Sequence, residues 1–83
     1  MIKILYFASL REKLGSGGES LELPDEVSDL AGLLALLSAR DGEWRSLAAV
    51  KNLKMAVNQE IADASARICD GDEIAFFPPV TGG

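Results

Sequence analysis

A chain of 83 residues, 48% hydrophobic and 25% charged, has room for one globular domain that buries roughly 60–65% of its unfolded surface. Its net charge of −5, from 8 Lys and Arg against 13 Asp and Glu, excludes the basic stripe that nucleic-acid phosphates require and suits a partner with a basic surface. The absence of histidine removes the usual general base and the commonest metal ligand, and a single cysteine excludes an internal disulfide, so a reducing cytoplasm is the expected compartment.

Ile2 to Phe7 is β-branched and aromatic apart from Lys3 and reads as a first strand. Side chains alternate along a strand, so Ile2, Ile4 and Tyr6 share one face and Lys3, Leu5 and Phe7 the other. Lys3 marks the second face as the solvent side, which leaves Leu5 and Phe7 where polar residues belong. With Met1 leading straight into this strand and no apolar run of about 18 residues, neither a signal peptide nor a membrane span is expected. Ala8 to Leu14 reads as a short helical turn ended by Gly15, and Gly15-Ser16-Gly17-Gly18 as a flexible turn. Glu19 to Leu23, with Leu21 and Leu23 inward, reads as a second strand returning beside the first.

Pro24-Asp25 ends that strand, and Ser28 is the expected N-cap of a helix from Asp29 to about Ala39, with Asp29 at the positive end of the helix dipole. Leu30, Leu33, Leu34 and Leu37 recur at the spacing of a helix laid on a sheet. Gly32 within it costs about 1 kcal/mol relative to alanine, and a close approach of helix to sheet would account for it. Asp41-Gly42 stops the helix, and Glu43 to Ala49 reads as a further short helical turn whose Trp44 covers an edge of the core. Leu53 to Val57 is a third strand, Asn58-Gln59 a turn, and Glu60 to Ala62 a short return. Asp70-Gly71-Asp72 is a tight turn into a last strand, Glu73 to Phe77.

In that last strand Glu73 faces out, so Ala75 and Phe77 face out as well, while Ile74 and Phe76 face in. If the first and last strands are neighbours, Phe77 joins Leu5 and Phe7 in one exposed apolar area, which Ile61 extends; contiguous exposed apolar surface marks an interface. The alternative is that Ala8 to Leu14, or the segment around Trp44, folds over this face. One long helix among several strands is an α+β pattern, a mixed sheet with its main helix on one face. A ferredoxin-like domain would need a second long helix.

Conventional catalytic constellations are missing. Cys69 has no histidine and no clear cationic neighbour besides Arg67 to activate it, and reads as structural. Asp70, Asp72 and Glu73 lack the twelve-residue spacing of a calcium loop and read as a turn. Glu19 with Glu22, and Asp25 with Glu26, read as solvated carboxylates. Gly15 to Gly18 lacks the lysine of a phosphate loop. No permanently bound cofactor and no metal site is expected.

The chemistry-bearing stretch is the last one, Phe76-Phe77-Pro78-Pro79-Val80-Thr81-Gly82-Gly83. The two prolines lack a backbone N–H and cannot continue a central strand, so the domain, residues 1–77, ends there and residues 78–83 form an extended arm with a thin glycine tip. Its carboxylate becomes reactive only when activated, for instance as an acyl-adenylate. Sulfur attack on that mixed anhydride gives a thiocarboxylate, and glycine has no Cβ to hinder the attack.

This tail resembles that of the small subunits of molybdopterin synthase, which are ubiquitin-like sulfur carriers. The likeness extends through Asp70-Gly71-Asp72-Glu73-Ile74-Ala75, Ala56-Val57-Asn58-Gln59, Ile2 to Ala8 and Leu10-Arg11-Glu12. The resemblance implies a β-grasp fold and a carrier cycle. An E1-like adenylyltransferase consumes ATP to adenylate Gly83, a persulfide donor supplies sulfur, and Pro78, Pro79, Val80, Thr81 and Gly82 insert with the thiocarboxylate into the large subunit of the synthase. There sulfur passes to cyclic pyranopterin monophosphate, building the dithiolene of molybdopterin in a heterotetramer. The resemblance further implies docking through Phe7, Ile61 and Phe77, with Arg11 pairing with an acidic partner group. Residues 42–52 follow no fixed family pattern. Other readings are a carrier for another pathway, such as thiamine synthesis, a ubiquitin-like protein modifier, or a plain interaction module. The double proline before the glycines argues against the first two.

Overall fold

The computed structural model describes residues 1–50 and 53–79. Eight elements follow in order: β1 (Ile2–Tyr6), α1 (Ala8–Leu14), β2 (Gly18–Leu21), α2 (Leu30–Ser38), a 3₁₀ helix (Gly42–Ala49), β3 (Lys54–Val57), β4 (Glu60–Ala62) and β5 (Glu73–Phe77). The strands form one mixed sheet in the order β2-β1-β5-β3-β4, in which β1 and β5 are parallel and the other neighbours antiparallel. A parallel pair cannot be joined by a hairpin, and here the whole chain between β1 and β5, α2 included, is the crossover. The result is the expected α+β, β-grasp architecture.

Register follows the apolar alternation. Ile4 stands opposite Ile74 and Tyr6 opposite Phe76, and all four are essentially fully buried. The rings of Tyr6 and Phe76 stack with centroids 6.2 Å apart. Leu30, Leu33 and Leu37 of α2 close the core over this face, with Leu34 half-buried beside them.

The helix start differs from expectation by one residue. Asp29, not Ser28, is the N-cap: its backbone is extended and its carboxylate accepts from Gly32 N–H at 2.8 Å. Ser28 is occupied elsewhere, its carbonyl accepting from Ile68 N–H. The next orphan amides of the helix, Leu30 and Ala31, donate to the carbonyls of Ala66 and Ala64. Gly32 does not meet the sheet. A Cβ there would lie 3.3 Å from the Asp29 carboxylate and 3.5 Å from Val27, so glycine makes room for the cap.

Cys69 is exposed. One further expectation is corrected. Glu19 is not a free carboxylate. It lies on the core face opposite Ile4, forms a two-pronged pair with Arg40 at 2.8 Å on each oxygen, and accepts the Tyr6 hydroxyl at 2.9 Å. Arg40 also lies 4.5 Å over the Trp44 ring, which meets Tyr6 edge-on at 5.2 Å. Trp44 thus covers a core edge, and the Glu19 network ties β2, the end of α2 and the 3₁₀ helix to the sheet. Among the described residues no helix is long and apolar enough to cross a membrane.

The paired Arg40 guanidinium, with the Tyr6 hydroxyl adding to it, holds the Glu19 carboxyl below the usual carboxylate range against the opposing effect of partial burial. A carboxyl depressed in the folded state stabilises fully above its unfolded value, and that contribution is lost as pH falls through the folded value. Glu19→Gln is therefore expected to cost about 1–2 kcal/mol near neutral pH. Thermal unfolding should show the gap to the unsubstituted protein narrowing as the pH falls below the usual carboxylate range; a gap independent of pH would mean that packing, not charge, carries the contribution.

Candidate functional site

The face of the sheet turned away from α2 is where the sequence leaves apolar side chains without a core. The registers place Gly18, Leu5, Ala75, Ala56 and Ile61 in one row across all five strands, about 19 Å long at the usual strand spacing. Alanines at the centre make its floor shallow, and Ala56 is itself buried. Lys3 and Glu73 stand opposite each other on one side of the row. On the other side Phe77 stands opposite Lys54, and Phe7 continues the ladder of β1 by donating its N–H to Phe76 O at 3.1 Å.

Exposure confirms the reading of parity. Ile61 is 73% exposed and Phe7 46%; Leu5, Ala75 and Phe77 are half-buried. Neither proposed cover reaches this face: Trp44 packs on Tyr6 and Leu10 of α1 is buried in the core, both on the opposite side.

Local geometry holds these side chains out. Ala8 takes a left-handed φ of 53° directly after Phe7, an uncommon conformation for a residue with a Cβ, and the chain turns there into α1. On the far side, Asn58 and Gln59 have φ of 51° and 71°, the signature of a two-residue hairpin turn, which sets Ile61 opposite Ala56. Asn58 fastens this hairpin to the start of β5, donating its N–H to Glu73 O at 2.7 Å and accepting from Glu73 N–H at 3.0 Å through its side chain.

Phe7, Ile61 and Phe77 therefore share one surface. Arg11 lies at the end of the row where β2 begins. Its side chain runs along the turn at the β2 edge, where a Cβ on Gly17 would be 3.2 Å from its Nε, beside an open depression lined also by Ala8, Glu12, Gly15 and Ser16. Pro78 and Pro79 follow β5 outside regular structure and half-buried. Val80, Thr81, Gly82 and Gly83 lie outside the described residues. Among the described residues no group of three or more Cys, Asp or Glu is placed to hold a metal ion. Sequence reasoning missed Lys54 and Ala56 as members of this face; the charge of Lys54 marks the outward side of β3 as Lys3 marks that of β1, and the register with β5 sets both residues beside Phe77 and Ala75.

Comparison with known proteins gives consistent results. The ThiS family profile matches residues 4–83. The molybdopterin synthase sulfur carrier subunit of Escherichia coli is 37% identical over 83 residues, covering all of both chains. That of Homo sapiens is 33% identical over 86 residues, covering 99% of this chain and 93% of the human one. Among solved structures, SAMP1 from Haloferax volcanii superposes with a TM-score of 0.76 at 26% identity, covering 99% and 98% of the two chains. A chain in the complex of subunits 1 and 2 of molybdopterin-converting factor from Helicobacter pylori gives 0.69 at 23% identity, covering 99% and 97%.

The two faces of β5 and its neighbours should respond oppositely to substitution. Phe76→Ala, in the core, is expected to cost about 3–5 kcal/mol. Ile61→Asp, on the exposed face, is expected to change stability by less than about 0.5 kcal/mol. Denaturant unfolding of the two variants checks this; a large loss for Ile61→Asp would show that the outer face is part of the fold's own core.

Proposed function

The chain belongs to the ThiS family, and from that membership we propose that it is the sulfur carrier subunit of a molybdopterin synthase. Full-length curated relatives at 33–37% identity carry that name. One structural observation supports the assignment above the others: β5 delivers Phe77, Pro78 and Pro79 from the centre of the sheet beside an uncovered apolar face that includes Phe7 and Ile61. A face and an arm rooted together suit a carrier that docks by one and reacts through the other.

The carrier's carboxylate has to be activated elsewhere. In this reading a Gly83 carboxylate oxygen attacks the α-phosphorus of ATP within an E1-like adenylyltransferase, releasing pyrophosphate. The outer sulfur of a persulfide donor then displaces AMP from the acyl carbon to give an acyl disulfide, and a thiol reductant cleaves its S–S bond, leaving the thiocarboxylate on Gly83 and a disulfide on the donor side. The large subunit of the synthase covers Phe7, Ile61 and Phe77 and receives the arm from Pro78 to Gly82. Six residues, Pro78 to Gly83, span at most about 20 Å, enough to cross into a neighbouring active site. There two such thiocarboxylates each give one sulfur to cyclic pyranopterin monophosphate, forming the dithiolene of molybdopterin, and water restores the Gly83 carboxylate. Two small and two large subunits make the working heterotetramer, and the solved Helicobacter pylori complex of subunits 1 and 2 supports a partner subunit of this kind. Arg11, at the β2 edge, is available to pair with an acidic group of the partner. ATP is consumed by the activating partner, and the carrier itself holds no resident cofactor. An exposed, unpaired Cys69 suits a reducing compartment, the cytoplasm.

The likeness to SAMP1, a small archaeal modifier, keeps protein modification as a second reading. The carrier subunits are the nearer relatives by identity, and the modifier shares the fold at 26%.

Deletion of Gly83 tests the proposal in a reconstituted synthase with its cognate activating enzyme and large subunit. Sulfur transfer should fall to background while the melting temperature and the affinity for the large subunit stay unchanged. Transfer that survives the deletion would refute the assignment of Gly83, and loss of folding would refute an arm independent of the core.

A further inference from the structure

The outer face carries three charged side chains at strand positions, Lys3, Glu73 and Lys54. Lys3 and Glu73 are cross-strand neighbours of opposite sign on β1 and β5, although among the described residues no ion pair joins them. Lys54 stands at the other end, opposite Phe77, where the arm leaves the sheet. It is exposed, and among the described residues no ion pair includes it. In a protein of net charge −5, an uncompensated cation thus lies against the apolar side chain at the root of the arm.

Its position makes that charge consequential. Lys54 is the cross-strand neighbour of Phe77 and lies two residues from Ala56 on the same face of β3. A partner that covers Phe77 and Ala56 also takes Lys54 out of water. Removing an ammonium from water without a counter-charge opposes binding more strongly than the adjoining apolar contact favours it.

We propose that Lys54 is a specificity-determining residue of this face, pairing with an Asp or Glu carboxylate that the tail-receiving subunit presents beside Phe77. The inference rests on the reading above, in which this face docks the large subunit. The pair fixes how that subunit sits over the root of the arm, and a partner with an apolar or basic group at the same place is rejected. Lys3, already opposite Glu73, plays no such part.

Binding kinetics of the full chain with its cognate large subunit, at several salt concentrations, test this with four variants. Lys54→Met is expected to raise the dissociation rate about tenfold and to flatten the salt dependence. Lys54→Glu should raise it further, while Lys54→Arg stays within about threefold of the unsubstituted chain because it keeps the charge. Lys3→Glu should alter chiefly the association rate. An unchanged dissociation rate for Lys54→Met overturns the inference, since the ammonium would then remain in water at the rim. Equal losses for Lys54→Glu and Lys3→Glu, confined to the association rate, overturn it as well, because a general field would explain both. If the unsubstituted chain fails to bind the large subunit, the functional reading falls and this inference with it; binding that Lys54 variants leave unchanged removes this inference alone.

Discussion

Two strands from opposite ends of the chain, Ile2–Tyr6 and Glu73–Phe77, lie parallel at the centre of the sheet, and neither can slip by one residue without turning Ile4, Tyr6, Ile74 and Phe76 out of the core. That pairing has two consequences that no local feature supplies. It places the start of the arm at the middle of the molecule, not at a frayed edge. It also forces Leu5, Ala75 and Phe77 outward together, because every inward residue on these strands is already committed to α2. The apolar outer face is therefore the necessary complement of the core.

The same arrangement separates stability from chemistry. The core is closed by Leu30, Leu33 and Leu37 of α2 on one side of the sheet, and the Glu19–Arg40–Tyr6 network secures the helix end and the 3₁₀ helix on that side too. The other side is left uncovered, and in the proposed cycle it docks the partner. A chain this small has little room for a catalytic cavity as well as a core, and in the proposed cycle its partners supply the cavities while it supplies a reactive end held at a defined place.

Much of this was legible in the sequence because it depends on short-range rules. Glu73 and Lys3 set the parity of β5 and β1, and the order of strands around one leucine-striped helix gave the architecture. Gly15, Asn58-Gln59 and Asp70-Gly71 marked turns that the structure contains, with positive φ at Gly15, Asn58, Gln59 and Gly71. What escaped was set by contacts between distant residues. Arg40 lies 21 positions beyond Glu19, so a carboxylate in a strand looked solvated. The capping role of Asp29, and with it the reason for Gly32, became clear only when the loop through Ala64 and Ala66 was seen to occupy the other helix amides. The register of β3 against β5 likewise sets Lys54 opposite Phe77, without which it was simply one more surface lysine. Phe7, Ile61 and Phe77 were found together, while Arg11 was found at the β2 edge. The tip from Val80 to Gly83 lies outside the described residues, so its role rests on the sequence and the relatives.

The central claim is that the end of this chain carries sulfur. Its most direct test is the intact mass of the protein after incubation with ATP, a persulfide donor and the cognate E1-like adenylyltransferase, followed by fragmentation. The account predicts a gain equal to the replacement of one oxygen by sulfur, localised to Gly83. An unchanged mass, with an activating enzyme shown to work on an established carrier, would contradict it and leave a β-grasp interaction module.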